Sequence, residues 1–217
     1  MKKVGVVLSG CGVYDGSEIH EATLTLYFLD RAGAKIICLA PDINQSHVIN
    51  HLKTQQVTEV RNVLVESARI ARGDIISAKS LKPGDIDALI FPGGLGAAKN
   101  LCDYDTMRKG CTVNPEVEKL IKEAHDAGKP LGFICLAPVI AARVLGKFHP
   151  FLTIGNDSNA AADIEAMGGK HITCNVDEIA VDNENKIVST PAYMLGPTIA
   201  KVALGIEKLV NEVLQLA

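Results

Sequence analysis

Hydrophobic positions along this chain form two kinds of run, and the two alternate. Short, continuous apolar runs within 4–8, 35–40, 87–91 and 131–134 predict buried strands. Between them lie stretches with helical spacing. Residues 17–32 read as a helix with Ser17 as N-cap, Glu18 and Glu21 in the first turns, and Gly33 as the stop. Asn114 caps a helix that starts at Pro115 and stops at Gly128. Residues 139–145, 158–167 and 197–216 predict further helices, the last one amphipathic. Segment 41–80 is less regular. It holds a helix over 59–72, and short hairpin strands fill the rest. Short strands are expected at 171–174, 179–181 and 186–189, with Asp182-Asn183-Glu184-Asn185 turning between the last two.

Continuous apolar strands alternating with helices imply an α/β fold, a mostly parallel sheet with helices on both faces. In such sheets ligands bind at the carboxyl ends of the strands. Three loops fall at such ends: 9–21, 92–98 and 135–138.

Composition narrows the function classes. A chain of 217 residues with 47% hydrophobic and 22% charged residues can bury a core as one domain, 1–217, without metals or disulfides. A net charge of −3, with the signs mixed along the chain, argues against a nucleic-acid surface or a polybasic membrane patch. No apolar run reaches the roughly 18 to 20 residues needed to span a bilayer. The apolar run after Met1-Lys2-Lys3 is too short for a signal peptide, and Gly10 and Gly12 interrupt it. Six cysteines, none in C-x-x-C spacing, predict reduced thiols in a cytoplasmic protein, with no metal and no cofactor.

The chemistry concentrates at Cys135. The strand 131–134 ends on this cysteine, and a helix follows at once. A thiol on a tight strand-to-helix turn has the layout of a nucleophile elbow. A sulfur at a helix N-terminus is favoured as thiolate. The alternative is a buried core cysteine. Gly93 and Gly94 end another strand and bring backbone N–H groups to where an oxyanion could sit. Loop 9–21 has G-x-G-x-x-x-G spacing, one residue longer than a dinucleotide fingerprint. Glu18 and Glu21, in the first helical turns, would repel a pyrophosphate there. Both glutamates complement the helix dipole, which leaves open a role for Glu21 if it points inward. None of the six histidines stands in a metal or H-x-E arrangement, and His20 and Glu21 face different ways on a helix.

These motifs together resemble the superfamily of PfpI-type proteases, protein deglycases and class I glutamine amidotransferases. Within it they are most similar to the ElbB branch, described as isoprenoid-biosynthesis proteins with an amidotransferase-like domain and as glyoxalases. The resemblance rests on residues 9–21, on Phe91-Pro92-Gly93-Gly94-Leu95-Gly96-Ala97-Ala98-Lys99-Asn100-Leu101, on the Cys135 elbow and on Thr190-Pro191-Ala192-Tyr193-Met194. It spans essentially the whole chain. It implies a flavodoxin-like three-layer sandwich, class I glutamine amidotransferase-like, and a homodimer. It also implies Cys135 as nucleophile, Glu21 as its carboxyl partner, an anion site of Gly94 and Leu136 N–H groups, and Gly93, Cys11, Pro191 and Tyr193 lining the pocket.

Four departures matter. Leu136 stands where PfpI-type proteases have His. Residues 152–157 lack the His of deglycase relatives, and no downstream H-x-E pair is present. Phe133 also replaces the usual small residue of the elbow. The departures argue against protease and glutaminase activity. The expectation is a cofactor-independent glyoxalase, a lyase that turns small α-dicarbonyls such as glyoxal into hydroxy acids, with protein deglycation as a related activity. The alternative is a non-enzymatic redox or metabolite sensor linked to isoprenoid biosynthesis.

Overall fold

The computed structural model describes residues 1–217. Along the chain lie β1 (Lys3–Val7), α1 (Ile19–Arg31), β2 (Lys35–Ala40), β3 (Ile49–Asn50), β4 (Gln55–Gln56), α2 (Val63–Ile70), β5 (Ile75–Ser77) and β6 (Ala88–Phe91). They are followed by α3 (Leu95–Lys99), α4 (Tyr104–Met107), α5 (Pro115–Asp126), β7 (Leu131–Ile134), α6 (Pro138–Leu145) and β8 (Phe151–Leu152). The chain ends with α7 (Ser158–Ala166), β9 (Lys170–His171), β10 (Ala180–Asp182), β11 (Ile187–Thr190) and α8 (Ile199–Leu216).

Seven strands make one sheet in the order β10-β11-β7-β6-β1-β2-β5. All neighbours are parallel except β10, which runs antiparallel to β11. The inner strands β6, β7 and β11 are buried at every position, which is why they read as continuous apolar runs. β10 is antiparallel because the link to β11 is a short turn, whereas a parallel return needs a dozen or more residues. Asp182 closes that turn by accepting from Asn185 N–H at 3.0 Å. One face of the sheet packs Ala22, Phe28 and Leu29 of α1 with Val202, Ile206 and Leu209 of α8. The other packs Val117 and Ile121 of α5 with Val139 and Ala142 of α6. The result is the expected three-layer α/β sandwich.

Several boundaries differ from the sequence expectation. Glu18, not Ser17, caps α1, accepting from Glu21 N–H. The Ser17 hydroxyl turns inward instead and accepts from Ser9 N–H at 2.9 Å. Helix α2 is shorter than 59–72. Asn62 is its cap, and the preceding residues pair with the opposite loop, where Gln45 N–H donates to Arg61 O. Segment 41–80 does hold a short hairpin, β3–β4, but also β5, a parallel edge strand of the main sheet. The strand expected over 171–174 is β9, which pairs with β8 outside the main sheet. Helices α3 and α4 are too short to show helical periodicity in the sequence.

Candidate active site

Cys135 directly follows β7 and opens the three-residue turn that leads to α6, and its backbone is left-handed, at φ +61°. That conformation costs a non-glycine residue on the order of 1–3 kcal/mol and persists only where neighbours enforce it. They do so here. Cys135 N–H donates to Thr190 O on the adjacent strand at 2.9 Å, and Ala137 N–H closes the turn on Ile134 O at 3.0 Å. The strained turn is the elbow expected from the sequence.

Glu21 comes to the thiol from the first turn of α1 and is fully buried. Its Oε2 accepts from Gly93 N–H at 3.0 Å, and its Oε1 accepts from Tyr193 N–H at 3.1 Å. Gly93 fills the narrow space between the Cys135 and Glu21 side chains. A Cβ there would sit 2.4 Å from Cys135 Cβ and 2.6 Å from Glu21 Oε2. Gly94 is held at φ +95°, and a Cβ would meet Glu18 N at 2.3 Å and Gly16 O at 2.4 Å. The β6 loop thus lies directly on the start of α1, and Glu18 N–H donates to Gly93 O at 2.9 Å. The backbone N–H groups of Gly94 and Leu136 both reach the Cys135 sulfur.

Burial pushes the Glu21 carboxyl up to about 8, and the Glu18 charge adds to this, while the Tyr193, Gly93 and Cys135 hydrogen bonds oppose it. Burial and then Glu21 push the Cys135 thiol well above its ordinary range, against the pull of the Gly94 and Leu136 N–H groups. The expectation of a freely ionised thiolate at a helix N-terminus is therefore corrected. The cap of α6 is Ala137, two residues beyond the cysteine, and desolvation outweighs the N–H groups. The two groups titrate as a pair. The Glu21 carboxyl gives up its proton before the Cys135 thiol does.

Pro191 and Tyr193 follow β11, the strand that binds the Cys135 backbone. The Tyr193 hydroxyl meets His20 Nδ1 at 2.8 Å. Sequence reasoning set His20 aside. It does face away from Glu21, but Tyr193 joins the two, with its backbone on Glu21 and its phenol on His20. No sequence spacing carries that signal. Cys11 is not brought to the thiol; its charged neighbours are Glu66, Arg69 and Asp15. A cavity of about 300 Å³ lies beside the centre. Leu95, Leu136 and Met194 line it, and they directly follow Gly94, Cys135 and Tyr193 in the chain. No group of three His, Cys, Asp or Glu side chains could hold a metal ion, and no helix is long and apolar enough to cross a membrane.

No family model matches the chain. Individual proteins do. The human glutamine amidotransferase-like class 1 domain-containing protein 3, mitochondrial, is 48% identical over 99% of this chain and 83% of its own length. The rat ES1 protein homolog, mitochondrial, is 46% identical over 99% of this chain and 84% of its own length. Both names place those relatives in mitochondria, as does that of a zebrafish ES1 protein. This overturns the cytoplasmic expectation. Among solved structures, an isoprenoid biosynthesis protein with amidotransferase-like domain from Ehrlichia chaffeensis is 36% identical, covers 99% of this chain and 100% of its own, and has a TM-score of 0.91. A DJ-1 superfamily protein from Agrobacterium tumefaciens shares the fold alone, at TM-score 0.57 and 19% identity, covering 96% of this chain and 89% of its own. The chain belongs to the glutamine amidotransferase-like class 1 domain-containing (ES1) family.

Proposed function

We propose that this protein is a cofactor-independent glyoxalase of the ElbB type, acting on small α-dicarbonyls through Cys135. The observation that carries the reading is the buried Glu21–Cys135 pair, with Gly94 and Leu136 N–H groups directed at the sulfur. The likeness to the Ehrlichia protein supports the placement in the ElbB branch.

The chemistry follows from the pair. The Cys135 sulfur attacks one aldehyde carbon of glyoxal as its proton passes to the Glu21 carboxylate. The carbonyl oxygen becomes an alkoxide where the Gly94 and Leu136 N–H groups can hold it. Glu21 protonates it to the hemithioacetal and then, as a carboxylate again, removes the proton from the former aldehyde carbon. The resulting enediol takes a proton at the second carbon, leaving a thioester on Cys135. Water releases glycolate and restores the thiol. One carbon is oxidised and its neighbour reduced, so no external oxidant is needed. Pro191, Tyr193 and Gly93 border the reacting atoms, and Cys11 stands apart from them. Protein deglycation uses the same first step, and the active form is a homodimer.

The test is steady-state formation of glycolate from glyoxal by wild type and by Cys135→Ser, with glutamine as the negative control. Many turnovers per wild-type protein, none with Cys135→Ser, and no ammonia from glutamine support the reading. Glycolate formed equally by Cys135→Ser overturns it. A second reading, a dicarbonyl or redox sensor, is favoured by the depth of Cys135, which is only 8% exposed. It requires consumption of one dicarbonyl per protein and no more.

A further inference from the structure

His20 and Glu21 are neighbours in the first turn of α1, and a single residue from the turn after β11 binds both. Tyr193 N–H donates to Glu21 Oε1 at 3.1 Å, and the Tyr193 hydroxyl lies 2.8 Å from His20 Nδ1. Consecutive helical residues point roughly 100° apart, so the two bonds grip α1 from two directions. Two such bonds resist rotation of the Tyr193 turn as well as its withdrawal. A phenol both donates and accepts, so the bond to Nδ1 is available in either tautomer of His20. The rings also meet, with centroids 5.8 Å apart. His20 is exposed and Tyr193 half-buried, so His20 itself adds nothing to the core.

The turn so anchored is strained. Ala192 is held at φ +44°, a conformation costly for a residue with a Cβ. Met194 N–H donates to Pro191 O at 3.0 Å, and Gly196 N–H donates to Ala192 O at 2.8 Å. These bonds fix the shape of the turn, but they do not tie it to α1. The two Tyr193 bonds do. The anchor therefore decides where the Tyr193 N–H points. Of the hydrogen bonds that favour the Glu21 carboxylate, this one counts most, ahead of those from Cys135 and Gly93. The groups facing Glu21 are Glu18 at the start of α1, Cys135 of the elbow, Gly93 N–H of the β6 loop and Tyr193 of this turn. Glu18 opposes the carboxylate, and the Cys135 hydrogen bond supports it.

We propose that His20 is a positioning residue for the Glu21–Cys135 pair: through the Tyr193 phenol it seats the turn after β11 so that Tyr193 N–H stays on Glu21 Oε1. Without the phenol–imidazole bond the turn relaxes away from α1, and the carboxylate loses its strongest donor. Glu21 then keeps its proton to higher pH, beyond the value of about 8 in the intact site. The turn also carries Met194, which lines the cavity beside Leu136. The consequence for turnover rests on the glyoxalase reading; the consequence for Glu21 does not.

The test is direct titration of Glu21 by carboxyl-carbon NMR in protein labelled at its glutamate side chains, with the Glu21 signal assigned by its loss in Glu21→Gln. His20→Ala and Tyr193→Phe should each raise the midpoint by about one pH unit, a tenfold gain in proton affinity and the worth of one hydrogen bond to a charged group. Tyr193→Phe keeps the imidazole, so matching shifts trace to the bond rather than to any charge on His20. The double variant should shift no further than either single one. His20→Asn, whose amide oxygen can take the place of Nδ1, should return the midpoint toward wild type. The pH at which kcat/KM on glyoxal rises should move with the NMR midpoint. A shifted midpoint in a protein that does not turn over glyoxal supports the positioning role and removes the glyoxalase reading. An unshifted Glu21 midpoint in both His20→Ala and Tyr193→Phe overturns the proposal, as does a shift in Tyr193→Phe alone.

Discussion

Glu21 carries a consequence that reaches beyond its proposed part in the reaction. Its carboxyl lies near 4.5 in a solvated chain and at about 8 in the fold. Between those values the folded state binds a proton that the unfolded state has lost. Stability therefore falls as pH rises across that window. The contribution is complete below about 4.5 and is lost as pH passes through about 8. Replacing Glu21 with Gln removes the titration. It also sets an amide NH₂ against Gly93 or Tyr193 N–H, since both carboxyl oxygens are acceptors. An unmade hydrogen bond of this kind costs roughly 1–3 kcal/mol. Thermal melts from pH 5 to pH 8 should show Glu21→Gln less stable than wild type at the acid end, with the gap closing toward the alkaline end. Parallel melting curves across the series would show that Glu21 is not the buried, proton-holding group.

Among the elements, the long helices are set by local chemistry. Asn114 Oδ1 accepts from Glu116 and Val117 N–H at the start of α5, with Pro115 in the first turn. Asn114→Ala should cost about 1 kcal/mol, within the range for lost N-caps, and lower the urea midpoint without changing the slope. An unchanged midpoint would place the start of α5 under tertiary control instead. Such signals made α5, β2 and β7 legible from sequence to within about two residues at each end, the ordinary uncertainty of element boundaries. Where tertiary contacts decide, the sequence misleads. Ser17 is the better capping residue by type, but its hydroxyl is taken by Ser9, so Glu18 caps α1. Residues 59–61 have helical composition, but Arg61 O is held by the 44–45 loop. The elbow at Cys135 was legible because only three residues separate the strand from the helix there.

At the scale of the whole molecule, the site draws on four distant segments: the start of α1, the β6 loop, the elbow and the residues after β11. The parallel order β11-β7-β6-β1 brings their carboxyl ends side by side. Periodicity predicts such a sheet but not its strand order, so the meeting of Glu21 with Cys135 came from the resemblance, and that of Tyr193 with His20 came from neither. The same fold serves proteins of several descriptions, so it cannot select a reaction; the arrangement of the site must. The central claim is that the carboxyl of Glu21 exchanges the proton of Cys135. Glu18 is the natural control, because it lies one turn earlier, is also buried, and spends its carboxylate on the α1 cap. The measurement is kcat/KM on glyoxal for Glu21→Gln and Glu18→Gln beside wild type, with melts to confirm folding. The account predicts a loss of about 10²- to 10⁴-fold for Glu21→Gln, the worth of one general acid/base, and near wild-type values for Glu18→Gln. A folded Glu21→Gln protein with wild-type kcat/KM, or a loss confined to Glu18→Gln, would contradict it.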